Sequence, residues 1–310
     1  ANTRLPIEST HQDQKSYSGF GQLIFDPAEQ VQVTVGGRYT HETKKLLDYT
    51  VILATPAFTP GNAYGTPTDV TTDPRYGRTR LSYNDFSPEA TVTWKPAPDV
   101  MVFASYKEGF KSGGFDAGYT AGAIVANPAR GQIFLPEHVK GGEVGLKSRF
   151  ADRQLTFNLT GYWYDYKGFQ VSVFDTISRA FRLQNAGSAR VKGIEAELRY
   201  SPNALPGLSL HATGAWNDAK YRRFDTADCY QGQTQALGCN RGVLNGTAFT
   251  AQDLSGKHLR KAPKLAATFG GYYETAVTQG LMLGLSVDGS YSSGYEYGTN
   301  YQPLAYQRSF

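Results

Sequence analysis

The chain has 310 residues, with 31 Lys+Arg against 27 Asp+Glu for a formal net charge of +4, and only 19 % of its residues are charged while 13 % are aromatic. That apolar and aromatic content excludes a disordered chain, 2 Cys exclude a disulfide-packed mini-protein, and a mean hydropathy of −0.43 with no apolar run near 20 residues excludes a helical membrane bundle. The small charge offers no basic stripe, so no nucleic-acid partner is expected; with 34 Gly, 21 Tyr and 17 Phe, a nearly all-β protein remains.

Residues 1–30 hold no basic segment followed by an apolar run, so any export signal is expected to lie outside this sequence. From there, period-2 alternation replaces helical periodicity. Val31, Val33, Val35, Gly37 and Tyr39 alternate with Gln32, Thr34, Gly36 and Arg38. Leu155, Phe157, Leu159, Gly161 and Trp163 alternate with Thr156, Asn158, Thr160, Tyr162 and Tyr164. The same pattern runs through Ile194 to Tyr200, Leu208 to Asn217 and Leu281 to Tyr291. In all, about ten strands are expected, many longer than the usual ~5–6 residues.

Alternation alone fits a membrane barrel or a soluble sandwich. The connections separate the two. Short ones at Asp26–Gln30, Pro96–Asp99, Ala151–Gln154, Ser201–Gly207 and Thr275–Gly280 interleave with long polar stretches near 46–79, 113–136 and 222–258. The segment Asp175–Ala180 is a weaker member of the long set, between strands that look overlong. Tight turns at one end and long loops at the other mark an up-and-down barrel.

Aromatic residues agree. Phe25, Trp94, Phe150, Tyr200 and Tyr273 each stand in the apolar phase just before a short turn. A ring there sets its apolar body beside a headgroup layer; the competing reading is the general preference of aromatics for strands. Charges at membrane depth (Glu143, Lys147, Glu195, Glu197, Arg199 and Asp288) fall in the polar phase. A cation facing lipid at mid-depth costs about 2–4 kcal/mol, whereas a wet lumen accepts it.

Several blocks then resemble TonB-dependent outer-membrane receptors. They are Gln22 to Tyr39, Tyr83–Pro88, Tyr106–Phe115, Pro136–Lys147 with the turn at Ala151–Gln154, and Asn185–Glu197. Together they cover nearly the whole chain in order, and the resemblance is first of all to iron-siderophore receptors. The resemblance implies an all-β, transmembrane, antiparallel up-and-down β-barrel in the bacterial outer membrane. At about 22 strands such a barrel exceeds this chain, so residues 1–310 are expected to be part of one, its later half. The plug domain and the TonB-box segment are not recognisable here. The ending Tyr306 to Phe310 reads as the start of a further strand rather than a terminal one, because Pro303 and Arg308 break the apolar alternation.

The implied function is energy-coupled uptake of a scarce ligand, above all a ferric siderophore. The implied partners are the TonB–ExbB–ExbD complex, acting through the missing N-terminal part, and outer-membrane lipid and lipopolysaccharide. No enzyme activity, cofactor or metal site is expected. The sequence holds no zinc-protease, nucleophile-elbow, Walker or C-x-x-C motif, and its five His are scattered. Glu195 and Glu197 share a face, as glycosidase carboxylates do, but also as solvated lumen carboxylates do. The sequons at Asn158 and Asn245 read as chance, the first lying inside a predicted spanning strand. Cys229 and Cys239 share a predicted outer loop in an oxidising exterior, so a local disulfide worth about 2–3 kcal/mol is expected; metal binding is the lesser alternative.

In the family, loops, upper lumen and plug apex capture the ligand, so aromatic and basic residues at the outer strand ends are the candidates. One group is Lys107, Lys111, Phe115 and Tyr119. A second is Tyr164, Tyr166, Phe169, Arg179 and Arg182. A third is Trp216, Tyr221, Arg222 and Arg223. Rings stack on a catechol or macrocycle and cations meet chelate oxygens; ordinary loop packing and an upper aromatic belt are the alternatives. Two further classes stay open: a passive porin, and a soluble β-rich carbohydrate-binding protein.

Overall fold

The computed structural model describes residues 5–53, 79–116, 133–175, 180–244 and 248–310. Ten strands form one antiparallel sheet in strict chain order. They are β1 (Leu5–Ala28), β2 (Val31–Leu53), β3 (Arg80–Ala97), β4 (Val100–Lys111) and β5 (Glu137–Phe150). The sheet continues with β6 (Leu155–Lys167), β7 (Ser188–Tyr200), β8 (Leu208–Arg223), β9 (Leu265–Thr278) and β10 (Leu281–Ser292). The all-β, up-and-down order is the one the alternation predicts.

Register decides what each face carries. One row across the sheet reads Val31, Trp94, Val102, Leu146, Leu159, Ala196, Gly214, Ala267 and Tyr291. The next row reads Gln32, Thr93, Phe103, Gly145, Thr160, Glu195, Ala215, Ala266 and Ser292. A slip of one residue would exchange these faces. The apolar rows are not covered by protein: Leu283, Leu285 and Val287 are 48 %, 59 % and 74 % exposed. Burying such a side chain is worth about 1.5–3 kcal/mol. A face that leaves many uncovered is built for an apolar solvent rather than for water.

The polar face is concave. Tyr162 on β6 donates to Asn217 Oδ1 on β8 at 3.3 Å, passing over Gly193 on the strand between. Side chains two strands apart meet only where the sheet curls toward them. On this face Asn158 donates to Glu197 at 3.0 Å and Arg199 pairs with Glu197 at 2.7 Å. His211 reaches Asp288 at 3.3 Å.

All five short connections lie at one end, and Phe25, Trp94, Phe150, Tyr200 and Tyr273 line that end in the apolar register. At the β5–β6 turn, Ala151, Asp152 and Arg153 all take the left-handed backbone, at φ of 52°, 54° and 67°. Three non-glycine residues there cost on the order of 1 kcal/mol each. The turn is held by Gln154 N–H donating to Ala151 O at 3.1 Å and by Arg153 pairing with Asp99 of the neighbouring turn at 3.0 Å.

The long connections depart from the predicted bounds. Pairing of β1 with β2 carries β2 on to Leu53, beyond the expected loop start at 46. The last long connection runs from 224 to 264, because β8 extends to Arg223. The overlong strands beside Asp175–Ala180 are instead broken at Gly168 (φ +63°), where the Asn185 side chain donates to Gly168 O at 2.7 Å. Beyond that break, Gln170–Asp175 and Ala180–Asn185 form a separate ribbon. A three-stranded sheet (Ala227–Asp228, Ala248–Gln252, Arg241–Leu244) fills the last connection. Tyr306–Gln307 pairs with Tyr295–Glu296, and Phe310 exchanges two backbone hydrogen bonds with Ser292.

Among the described residues the buried apolar clusters sit at this long-loop end. The larger joins Val171, Val173, Ala189, Tyr221, Phe224 and Leu254; the smaller joins Leu46, Leu81 and Phe115. Among the described residues, no buried apolar cluster lies beneath the apolar rows of the wall.

Candidate functional site

The site suggested by the sequence lies where the polar face meets the long loops. Lys107 and Lys111 are on β4 in the polar phase, both exposed, opposite Glu89 and Glu137 respectively. Tyr164 and Tyr166 follow on β6 in the same phase, with Tyr164 donating to Glu143 Oε1 at 2.7 Å. Of these four, Lys107 and Lys111 are exposed, while Tyr164 and Tyr166 are half-buried.

The other aromatics of the second and third groups pack on one another. Tyr166 meets Phe169 edge-on at 5.5 Å, Phe169 meets Tyr221 at 6.3 Å, and Tyr221 meets Phe224 at 5.0 Å between ring centroids. Tyr221 is 3 % exposed. Phe115 is 5 % exposed among Leu46 and Leu81. Arg182 pairs with Asp228 at 3.2 Å, both nearly buried, tying the ribbon after β6 to the small sheet after β8. In this structure these side chains assemble a cap of loops. Tyr119 and Arg179 lie outside the described residues.

Trp216 and Arg222 stand apart. Trp216 is in the apolar register, opposite Ile194 and Leu265, and 42 % exposed. Arg222 follows in the same phase above it, exposed, while Arg223 pairs with Ser188 at the end of β7. The parity of β8, read from Leu208, already separates Trp216 from Tyr221.

Sequence reasoning missed the polar stitching of the cap. Glu42 and Lys44 form an ion pair at 3.0 Å and are largely buried, with Ser112 donating to the same carboxylate. Gln170 N–H donates to Glu137 at 2.7 Å, and the Gln170 amide reaches Ser112 O and Leu135 O at 3.0 and 3.1 Å. Asn185 takes the Leu135 N–H at 2.7 Å and donates to Leu135 O at 2.8 Å. Only the polar phase of Glu42 and Lys44, continuing β2, carried a signal in the sequence. Cys229 and Cys239 form a disulfide with Cα atoms 5.7 Å apart.

Among the described residues no cluster of His, Cys, Asp and Glu fits a metal ion. Glu197 is engaged by Asn158 and Arg199, which leaves no free carboxylate pair with Glu195. A recess of about 580 Å³ lies on the polar face between Lys147, Glu195, Thr213 and Ser290. Its lining joins Lys147, Glu195 and the Thr and Ser hydroxyls with apolar residues such as Ala215, Ala266 and Phe310.

A family model described as "TonB dependent receptor-like, beta-barrel" matches residues 2–310. The chain is 24 % identical over 181 residues to a probable TonB-dependent siderophore receptor, PiuA, of Acinetobacter baumannii, covering 58 % of this chain and 21 % of that protein. In fold it resembles the ferric yersiniabactin uptake receptor FyuA of Yersinia pestis, with a TM-score of 0.66 and 14 % identity, over 98 % of this chain and 38 % of that one. It also resembles the siderophore receptor PiuA of Acinetobacter baumannii, with a TM-score of 0.62 and 15 % identity, over 97 % of this chain and 36 % of that one. The chain thus spans about a fifth of the curated relative's length.

Proposed function

The chain belongs to the TonB-dependent receptor β-barrel family, and from that premise we propose that it forms wall and outer vestibule of a receptor for energy-coupled uptake of a ferric siderophore. Its place is the bacterial outer membrane, where the exposed apolar rows meet hydrocarbon and the short turns face the periplasm. Residues 1–310 are read as a portion of the barrel domain of a longer receptor whose plug lies outside them. Coverage of only 38 % and 36 % of the two solved receptors supports that reading.

The observation that carries the proposal is the family match over residues 2–310 on a sheet whose one face is exposed and apolar and whose other is concave and polar. Relatives described as siderophore receptors support the ligand class. Lys107, Lys111, Tyr164 and Tyr166 are the side chains proposed to meet ligand, through charge on chelate oxygens and ring stacking. TonB with ExbB and ExbD is the proposed source of energy, acting on the plug. The wall contributes no bond-making chemistry of its own.

The test is uptake of radioactive iron as a ferric siderophore by cells carrying the whole receptor, with and without TonB. Uptake that disappears without TonB is expected. Uptake that persists without it, together with an open ohmic pore in planar bilayers, would instead establish a passive porin.

A further inference from the structure

Toward the outer end of the wall, neighbouring strands part. Where β9 begins short of the top of β8, the segment 257–264 takes over the backbone pairing. Asn217 N–H donates to Lys264 O at 2.9 Å, Tyr221 N–H to Lys257 O at 3.0 Å, and Leu259 N–H to Ala219 O at 2.8 Å. Between β3 and β4 the ladder ends at Glu89 opposite Lys107, although β3 reaches Arg80 and β4 reaches Lys111. Among the described residues no backbone hydrogen bond joins Arg80–Pro88 to Glu108–Phe115.

Pro88 stands at the break. Lys95 N–H donates to Gln30 O at the foot of β2, so by alternation the even-numbered residues of β3 turn their backbone groups toward β4. Pro88 is one of them and has no N–H to give. Trp94 lies six residues below it. That is about 20 Å of strand, or roughly 14–17 Å along the membrane normal, against an apolar band about 25 Å tall. The free edges therefore begin at bilayer height, where unpaired backbone groups are costly.

The side chains on the two edges are complementary. Continued upward in the same register, Asp85 would face Lys111 in the polar phase and Phe86 would face Phe110 in the apolar phase. Here Asp85 lies 3.5 Å from His138 Nδ1 of β5 and accepts from Ser87 Oγ at 2.6 Å, while Phe110 packs on the His138 ring at 5.2 Å. Lys111 is exposed and makes no ion pair among the described residues. Ser112 donates to Glu42 and takes the Gln170 amide at 3.0 Å. Higher still, Phe115 joins Leu81, its partner in the continued register, in one buried cluster. The edges thus stay close on both sides of a short unzipped stretch.

We propose that β3 and β4 form a two-position clasp. Parted, as in this structure, it sets Asp85 on His138. Zipped, it sets Asp85 on Lys111 and Phe86 on Phe110. Lys111 is therefore either engaged by Asp85 or free to meet a ligand. An anion on Lys111 holds the clasp parted, because it occupies the cation that zipping requires. This coupling rests on the siderophore reading; the clasp itself rests on the ladder.

The experiment oxidises Ser87→Cys/Gly109→Cys with copper phenanthroline in the whole receptor in bilayers and counts the new disulfide by mass spectrometry. Thr91→Cys/Ser105→Cys, opposed in the formed ladder, gives the rate for a paired site. The link across the break is expected to form, more slowly than at the paired site. Adding Pro88→Ala, which restores a donor, should speed it about two- to tenfold. Adding Lys111→Gln should slow it about two- to fivefold. The ferric complex of a synthetic tricatecholate should slow it several-fold. No link across the break while the paired site links, or a rate indifferent to both substitutions, overturns the clasp. A link that answers to both substitutions but not to the chelate keeps the clasp and removes Lys111 from the ligand reading, which separates the two failures.

Discussion

The hydroxyl of Tyr162 donates to Asn217 across an intervening strand, 3.3 Å away, because Gly193 has no side chain to stand between them. A Cβ at Gly193 would come within 2.4 Å of the Tyr162 hydroxyl and 2.3 Å of Trp216 O. Gly193→Ala is therefore expected to destabilise the wall by about 1–3 kcal/mol, the usual range for forced overpacking. Gly214→Ala, where nothing lies within 4 Å, should be nearly neutral. The temperature at which the folded band disappears on unheated gel electrophoresis compares the two.

Facing is tested by a matched pair on β6. Leu159 is in the apolar register, and Thr160 is in the polar one opposite Glu195. Leu159→Lys should cost about 2–4 kcal/mol at mid-depth, whereas Thr160→Lys gains a carboxylate neighbour and should fold almost as wild type. Equilibrium unfolding in lipid vesicles reads the difference; equal costs would mean that both faces see the same medium.

Much of this wall was legible in the sequence because period 2 needs only local information. Leu155 to Trp163 announces its face by alternation, and the turn at Ala151–Gln154 by the break in it. The cap was not legible in the same way. Phe169, Tyr221 and Arg182 look like ligand-binding residues from composition, yet Phe169 meets Tyr221 and Arg182 meets Asp228 across two different connections. No local pattern reports a contact between two loops. The break at Gly168 likewise depends on Asn185, seventeen residues on. Trp216 is the reverse case: its parity placed it on the apolar face, and only its closeness to the outer strand end brought it among the ligand candidates.

The disulfide between Cys229 and Cys239 closes a loop of ten residues' separation in the cap. Chain entropy gives it about 3 kcal/mol, all of it local to the connection between β8 and β9. Reduction, or Cys229→Ser/Cys239→Ser, should open sites in 229–241 to limited proteolysis while the wall keeps its resistance to unfolding. Cleavage that spreads equally into β8 and β9 would show the cap and wall to be one cooperative unit.

His258 lies in the same connection, its carbonyl taking the Tyr301 hydroxyl. Burial, with Lys264 and Lys220 nearby, holds its imidazole below the ordinary value of 6.5. The opened cap then takes up a proton more readily than the closed one. Cap stability is level above about pH 6.5 and falls as pH drops from there toward the lowered value of the closed form. Hydrogen exchange at 254–259, corrected for the intrinsic pH dependence of exchange, should quicken over that window in wild type. It should stay level in His258→Asn.

The lipid-facing assignment is tested most directly by nitroxide scanning of β10, from Leu281 to Ser292, in the whole receptor reconstituted in bilayers. Labels at Leu283, Leu285, Val287 and Gly289 should collide freely with oxygen and poorly with a water-soluble nickel chelate. Labels at Gly284, Ser286, Asp288 and Ser290 should show the opposite preference, giving a two-residue oscillation along the strand. A flat profile, or low access to both reagents at Leu283, Leu285 and Val287, would put those side chains in a protein interior and contradict a wall that faces hydrocarbon.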